Sequence, residues 1–319
     1  MRKFPLALAA LSIFCVSQAA WSGFPEGAAA YQKGEYAIAL KEFLPLANQG
    51  HAQAQYNLGM MYALGNGVPQ DLKETAKWFK LVGKQGNADA QVHLGSMYSH
   101  GEGVPKDYKE AAKWFHLAAD QGSANAQYNL GIVYSLGNGV PQNDKEAIKW
   151  FGLAADQGYA DAQHRLGLMH SLGRAVPQND KEAAKWYVLA ADQGHAGGQT
   201  QLGLLYYHGS GVLQDYQEAA KWFSLAVDQG YADAQQLLGI MYANGESVEK
   251  NPLAAYALLN LAAANDSADV HQAMEIRDAL AAKMTGKEIE TGQALSREMA
   301  KSQSPLKILH QQIKKTAAQ

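Results

Sequence analysis

The stretch AAKWFHLAADQG at residues 111–122 decides how this chain is to be read. Alone it is a piece of amphipathic helix. It returns as AIKWFGLAADQG at 147–158 and as AAKWYVLAADQG at 183–194, displaced each time by 36 residues. A catalytic core seldom repeats its own text, whereas a stack of like bricks does, because every brick meets the same neighbour. In rows of 36 the sequence aligns from His51 to Asp266, six rows that begin at His51, Asn87, Ser123, Tyr159, His195 and Tyr231. A shorter unit, AAAYQKGEYAIALKEFLPLANQG, precedes them at 28–50.

Each row has two apolar-periodic halves. Ala54, Leu58, Met61 and Tyr62 fall at i, i+4, i+7 and i+8, one face of a first helix. Gly65 and its equivalents Gly101, Gly137, Gly173, Gly209 and Gly245 end that helix in the left-handed conformation glycine accepts. A turn such as NGVPQ at 66–70 follows, with Pro69 blocking continuation. The second helix runs from about Asp71 to Lys84, with Ala76, Phe79 and Val82 or Gly83 as its buried stripe and Trp78 and Leu81 alongside. Trp78, Trp114, Trp150, Trp186 and Trp222 form one column, which reads as packing. Gly59, Gly95, Gly131, Gly167, Gly203 and Gly239 fall inside the first helices. Each costs about 1 kcal/mol against alanine, so a neighbouring helix is expected close enough that a Cβ would clash.

The motifs A-x-x-x-LG-x-MY-x-x-G-x-GV at 54–68 and EAAKWF-x-LAADQG at 110–122 resemble the SEL-one-like repeat family, relatives of the tetratricopeptide repeat. The resemblance implies an all-α, right-handed α-solenoid of stacked antiparallel helix pairs with a concave inner face lined by first helices. It covers residues 28–266, the short unit and the six rows. Row six departs from the pattern, with Leu258 for Trp and Glu249 for Pro, as a terminal unit does when it meets a different neighbour. Residues 267–301 read as two C-terminal capping helices, with Ala273, Ile276, Leu280 and Met284 as the apolar stripe of the first and a capping box at 285–288 opening the second. Residues 302–319 read as a loose tail.

Hydrophobic residues are 47% and charged residues 18% of the 319, so a folded chain is expected. The formal net charge of −3 argues against nucleic acid as a partner. Arg2 and Lys3, the 13-residue apolar run Phe4–Val16 and Ser17-Gln18-Ala19 read as a signal peptide over residues 1–19, cut after Ala19. The mature protein is then exported, periplasmic or secreted from a bacterium, and has no membrane span. Cys15, the one cysteine, leaves with the signal.

No catalytic constellation emerges. Ser304-Pro305-Leu306-Lys307 has S-x-x-K spacing, but neither S-D-N nor K-T-G accompanies it. No two of the ten histidines stand at i, i+4 on one helix, so no metal and no cofactor is expected. His170 reads as a half-buried stand-in for the column tyrosine. Glu74, Glu110, Glu146, Glu182 and Glu218 each precede a lysine by three positions and read as solvated ion pairs on the outer surface.

Function should lie where rows disagree. One column runs Tyr56, Val92, Tyr128, His164, Thr200, Gln236; the next runs Asn57, His93, Asn129, Arg165, Gln201, Leu237; a third begins at Met60 and continues Ser96, Ile132, Leu168, Leu204, Ile240. These positions share one side of the first helix. Tyr56, Asn57, Met60, His93, Tyr128, Asn129, His164, Arg165, Thr200, Gln201 and Gln236 are therefore the candidate contacts for a protein or peptide partner. The chain reads as a non-enzymatic scaffold. The alternative is a cell-envelope enzyme or a saccharide- or peptidoglycan-binding protein, with weak β-lactamase-like activity as the resemblance to cysteine-rich relatives would imply. That alternative asks for Tyr56, Tyr128 and the tryptophans exposed together in one groove.

Overall fold

Four of the six rows open the first helix with a side-chain cap, and all six close it on a glycine. Asn87 Oδ1 accepts the Ala90 N–H at 2.8 Å and His51 Nδ1 accepts the Ala54 N–H at 3.1 Å, so residues that begin rows are N-caps. The closing glycines, Gly65 to Gly245, all have positive φ, between 65° and 81°. Asp71 then caps the second helix, its Oδ1 accepting from the N–H groups of Lys73 and Glu74 at 2.8 and 3.1 Å.

The computed structural model describes residues 22–264 and 270–317, so the expected signal segment lies outside the described residues. Seventeen helices and no strands occur among the described residues. The short unit is α1 (Phe24–Gln32) and α2 (Tyr36–Asn48). Rows one to three are α3 (Ala52–Leu64) with α4 (Leu72–Lys84), α5 (Ala88–His100) with α6 (Tyr108–Asp120), and α7 (Ala124–Leu136) with α8 (Asp144–Asp156). Rows four to six are α9 (Ala160–Leu172) with α10 (Asp180–Asp192), α11 (Ala196–His208) with α12 (Tyr216–Asp228), and α13 (Ala232–Asn244) with α14 (Pro252–Ala263). The remaining three are α15 (Val270–Ala281), α16 (Gly286–Ala300) and α17 (Pro305–Ala317). The chain divides into two compact units, residues 1–150 and 151–319.

In the first unit the core lies between rows. The second helix of one row meets the first helix of the next, and the next row's tryptophan closes the cluster: Ala76, Phe79 and Val82, then Ala90, Leu94 and Met97, then Trp114. Trp114 and Trp150 are 6% and 8% exposed, while Trp78, Trp186 and Trp222 are half-buried. Leu81 does not join this core. It is 47% exposed, because it sits on the solvent side of α4, between the buried phases of Trp78 and Val82.

The glycine column is explained by an aromatic ring of the same row. A Cβ on Gly59 would come 2.8 Å from the Phe79 ring, and one on Gly95 2.7 Å from Phe115. The short unit obeys the same rule, with Gly27 2.7 Å from Phe43, so its first helix begins at Phe24 and not at Ala28. Its glycine was hidden in the sequence by the shortened loop. A second column is made of glutamines. Gln55 and Gln91 are buried; Gln91 Nε2 donates to the Gly83 carbonyl at 2.8 Å, and its Oε1 accepts from Gln121 Nε2 at 2.8 Å. Each such glutamine ties the end of one second helix to the end of the next, where helix carbonyls would lack partners.

The second unit repeats these contacts. Gly167 opposes Tyr187 and Gly203 opposes Phe223, and Gln193 and Gln229 donate to Gln163 and Gln199 at 2.7 and 2.8 Å. It ends differently. Ala273 of α15 is buried against Leu259 and Ala262 of α14. Thr285 and Glu288 form the expected capping box at the start of α16. Gly292 of α16 faces Tyr256 of α14, where a Cβ would be 2.6 Å from the ring. The expected loose tail at 302–319 is, over its described residues 302–317, held by α17, which buries Leu306 and Leu309 in the core that contains Phe223 and Leu258, and the Leu306 N–H donates to Asp228 Oδ1 at 3.0 Å. That spacing of leucines forms a helix because α12, α14 and α16 supply the apolar surface to cover.

The outer ion pairs are present. Lys113 and Lys185 Nζ lie 2.7 and 2.6 Å from Glu110 and Glu182, and Lys77 pairs with Glu74. Their lysine side chains are largely exposed, so solvent screens each pair.

Candidate functional site

Charge is segregated in the first unit. The second helices α4 and α6 carry lysines and acids throughout, while α3, α5 and α7 contain one Asp, Glu, Lys or Arg between them, Asp89. What these first helices offer instead is aromatic, amide and hydroxyl groups. The Tyr56 ring lies tilted 5.6 Å from Phe79, and His93 stacks on Phe79 at 5.2 Å. The Tyr56 hydroxyl is 3.4 Å from His93 Nε2, which joins row one to row two. His93 is exposed at its rim, and partial burial of the ring lowers its pKa, with Asp89 pulling the other way. Burial, helped by Asp89, raises that of Tyr56. Asn57, Met60, Tyr128 and Asn129 are half-buried, and Asn129 Nδ2 donates to the Asn125 side chain and backbone at 2.6 and 2.9 Å.

Two cavities open along this row of helices. One, of 150 Å³, lies between rows one and two, with Phe79 and Leu72 on one side and His93, Ser96 and Glu102 on the other. The next, of 280 Å³, lies between rows two and three, lined by Phe115 and Tyr108 opposite Asn129, Ile132 and Asn138. The second lining is the first displaced by 36 residues: Ala63 corresponds to Ser99, Leu72 to Tyr108, and Glu102 to Asn138.

In the second unit His164 packs 4.7 Å from His195 and 6.0 Å from Tyr187. Gly197 makes room for it, since a Cβ there would come 3.1 Å from the imidazole. Burial, then the charges of His195 and Arg165, lower the His164 pKa to about 4. His195 Nε2 also lies 3.3 Å from Asp161. Arg165 is exposed and Gln201 half-buried.

Two candidate contacts are not on an open surface. Thr200 is 1% exposed and donates its hydroxyl to the Ala196 carbonyl at 2.9 Å. A short β-branched side chain lies along its own helix and is covered. Gln236 is 8% exposed and donates to Gln272 of α15 at 2.8 Å, because that helix packs over row six. Periodicity could not reveal the cover over Gln236, since a helix from outside the repeat leaves no mark on the repeat.

No cluster of three or more metal-ligating side chains occurs among the described residues. His100 Nδ1 is 2.9 Å from the Ser96 carbonyl, His208 packs on Tyr207, and His170 is half-buried. Ser304 lies just before α17, its carbonyl accepting from the Lys307 N–H at 3.1 Å.

Comparison with known proteins agrees with this architecture. The Sel1 repeat model matches residues 52–87, 88–123, 124–159, 160–195, 196–231 and 232–267. A Sel1 repeat protein from Oxalobacter formigenes is similar in structure, with a TM-score of 0.70 and 29% identity, over 77% of this chain and 98% of that one. A protective antigen present in uropathogenic Escherichia coli strains, displaying the same kind of repeat fold, is similar with a TM-score of 0.60 and 27% identity, over 92% of this chain and 70% of that one. No curated protein matches the chain. Six consecutive matches, on helix pairs that recur every 36 residues, make this chain a member of the Sel1 repeat family.

Proposed function

We propose that the chain is an exported scaffold that holds a protein or peptide partner along its first helices and performs no chemistry on it. Sel1 repeat proteins are generally protein-interaction scaffolds, typically without enzymatic activity. The observation that carries the reading is the segregation of charge in the first unit, which leaves a nearly uncharged face of Tyr, His, Asn and aliphatic side chains opposite a strongly charged one. Such mixed surfaces suit protein recognition. The basic and apolar residues 2–16 support export, and the protective-antigen description of one relative accords with it. No helix among the described residues is long and apolar enough to cross a membrane. Saccharide binding through a tryptophan ladder has little to stand on, since Trp114 and Trp150 are buried between rows.

The test is affinity capture from envelope extract with the wild type and with a Tyr56→Ala/Tyr128→Ala/Arg165→Ala variant. A prey retained by the wild type and lost by the folded variant supports the face; an unchanged prey list defeats it. Export is tested by N-terminal sequencing of the protein recovered outside the cytoplasm, expected to start at Ala20.

A further inference from the structure

Taking the first-helix face as the binding face, we propose that rows one to three bind a segment in the polyproline II conformation, seating two apolar side chains three residues apart in the two cavities. The cavities are equivalent by one repeat and flank α5, whose Ser96 lines both, so their separation is one helix width, about 10 Å. A polyproline II chain has three residues per turn and rises about 3.1 Å per residue, so side chains at i and i+3 point the same way about 9.3 Å apart. A β-strand covers a similar distance in three residues but turns the second side chain to the opposite face.

An α-helix matches the spacing at i and i+7, about 10.5 Å, but its backbone is already hydrogen-bonded. A polyproline II backbone is not. His93 and Asn129 line the two cavities at repeat spacing, and they serve a partner with free carbonyls and N–H groups. Aromatic walls, Phe79 and His93 in one cavity and Tyr108 and Phe115 in the next, suit proline rings. Asp89 is the one Asp, Glu, Lys or Arg on the three helices, and Glu102 and Lys106 line the first and second cavities, so a segment with few charges of either sign fits.

The protein itself shows how such a cavity is closed. Between rows five and six, Tyr207 stands in the column of Ala63 and Ser99. Its hydroxyl donates to Glu246, the equivalent of Glu102, at 2.7 Å, and its ring packs on Tyr216, the equivalent of Leu72 and Tyr108. Ala63→Tyr therefore fills the first cavity with a side chain the fold already accommodates, and Ser99→Tyr fills the second.

The experiment selects a displayed library of random dodecapeptides on the full-length wild type. The enriched peptides are then measured against the two filled variants and against Tyr56→Ala/Tyr128→Ala, each checked for native helicity. The expected result is a pair of apolar side chains at i and i+3 with proline nearby, affinity at least tenfold weaker in each filled variant, and little dependence on salt. Enrichment of i, i+7 spacing overturns the polyproline II assignment. So do peptides that tolerate both filled variants but are lost on Tyr56→Ala/Tyr128→Ala, and that outcome leaves the first-helix face standing. Failure to enrich any peptide overturns both.

Discussion

Rows two and five share a backbone and differ in what it presents. In row two, α5 carries Ser99, and cavities open on either side of its helix. In row five, α11 carries Tyr207, which occupies the corresponding place and holds Glu246. Burial and the bond to Glu246 push the Tyr207 hydroxyl up to about 12, so it remains a donor at any physiological pH. Row five also replaces the usual pair after its cap with Gly197 and Gly198; the first leaves space for His164, and a Cβ on the second would come 2.8 Å from Ala190. The lesson is that a repeat fixes a frame through a few invariant contacts, and single substitutions within it open or close surface.

The widest test of that comparison asks whether the frame is common to both units. Phe79→Ala and Phe223→Ala each remove a fully buried ring seated on a glycine. Each is expected to cost about 3–5 kcal/mol in urea denaturation, and a gap beyond about 1.5 kcal/mol between them would show that the rows are not energetically equivalent.

The next effect belongs to the second unit alone. His164 has a pKa near 4 in the folded chain, below the unfolded value of about 6.5. The unfolded chain therefore binds the extra proton first. Stability is full above about pH 6.5 and falls by up to about 3 kcal/mol as pH drops towards 4. His164→Tyr, which copies rows one and three, should flatten this slope when urea midpoints are compared between pH 7 and pH 4.5; an unchanged slope would assign it to other groups.

A smaller loss is expected from the glutamine column. Gln91→Leu leaves the Gly83 carbonyl without its side-chain donor and removes one of the two acceptors of the Gln121 amide, which keeps the Leu117 carbonyl, at about 1–3 kcal/mol. Gln199→Leu should match it, because Gln229 and the Ala191 carbonyl are bound in the same way.

The smallest effect has opposite signs at one column. Ser247 has φ 60° where Gly67, Gly103, Gly139 and Gly211 stand in other rows. Ser247→Gly relieves a left-handed strain of about 1–2 kcal/mol and should raise the midpoint. Gly103→Ser should lower it, since a Cβ there would be 2.1 Å from the Leu72 carbonyl oxygen. Equal signs at the two positions would contradict the geometry.

The sequence by itself determined the helix pairs, their caps, the left-handed glycines and the close approach behind the Gly59 column. Those features come from local backbone rules and recur at a fixed period, so six copies state each one. Part of the candidate site was legible for the same reason: Tyr56, His93 and Asn129 vary where the frame does not. Tertiary structure alone decided the rest. Leu81 is exposed, Gln91 is buried, Gln236 lies under α15, Tyr207 fills a place that Ala63 leaves open, and α17 is held by Leu306, Leu309 and Asp228. Burial depends on what a distant segment supplies, and contacts across 30 or more residues leave no trace in the local order of side chains.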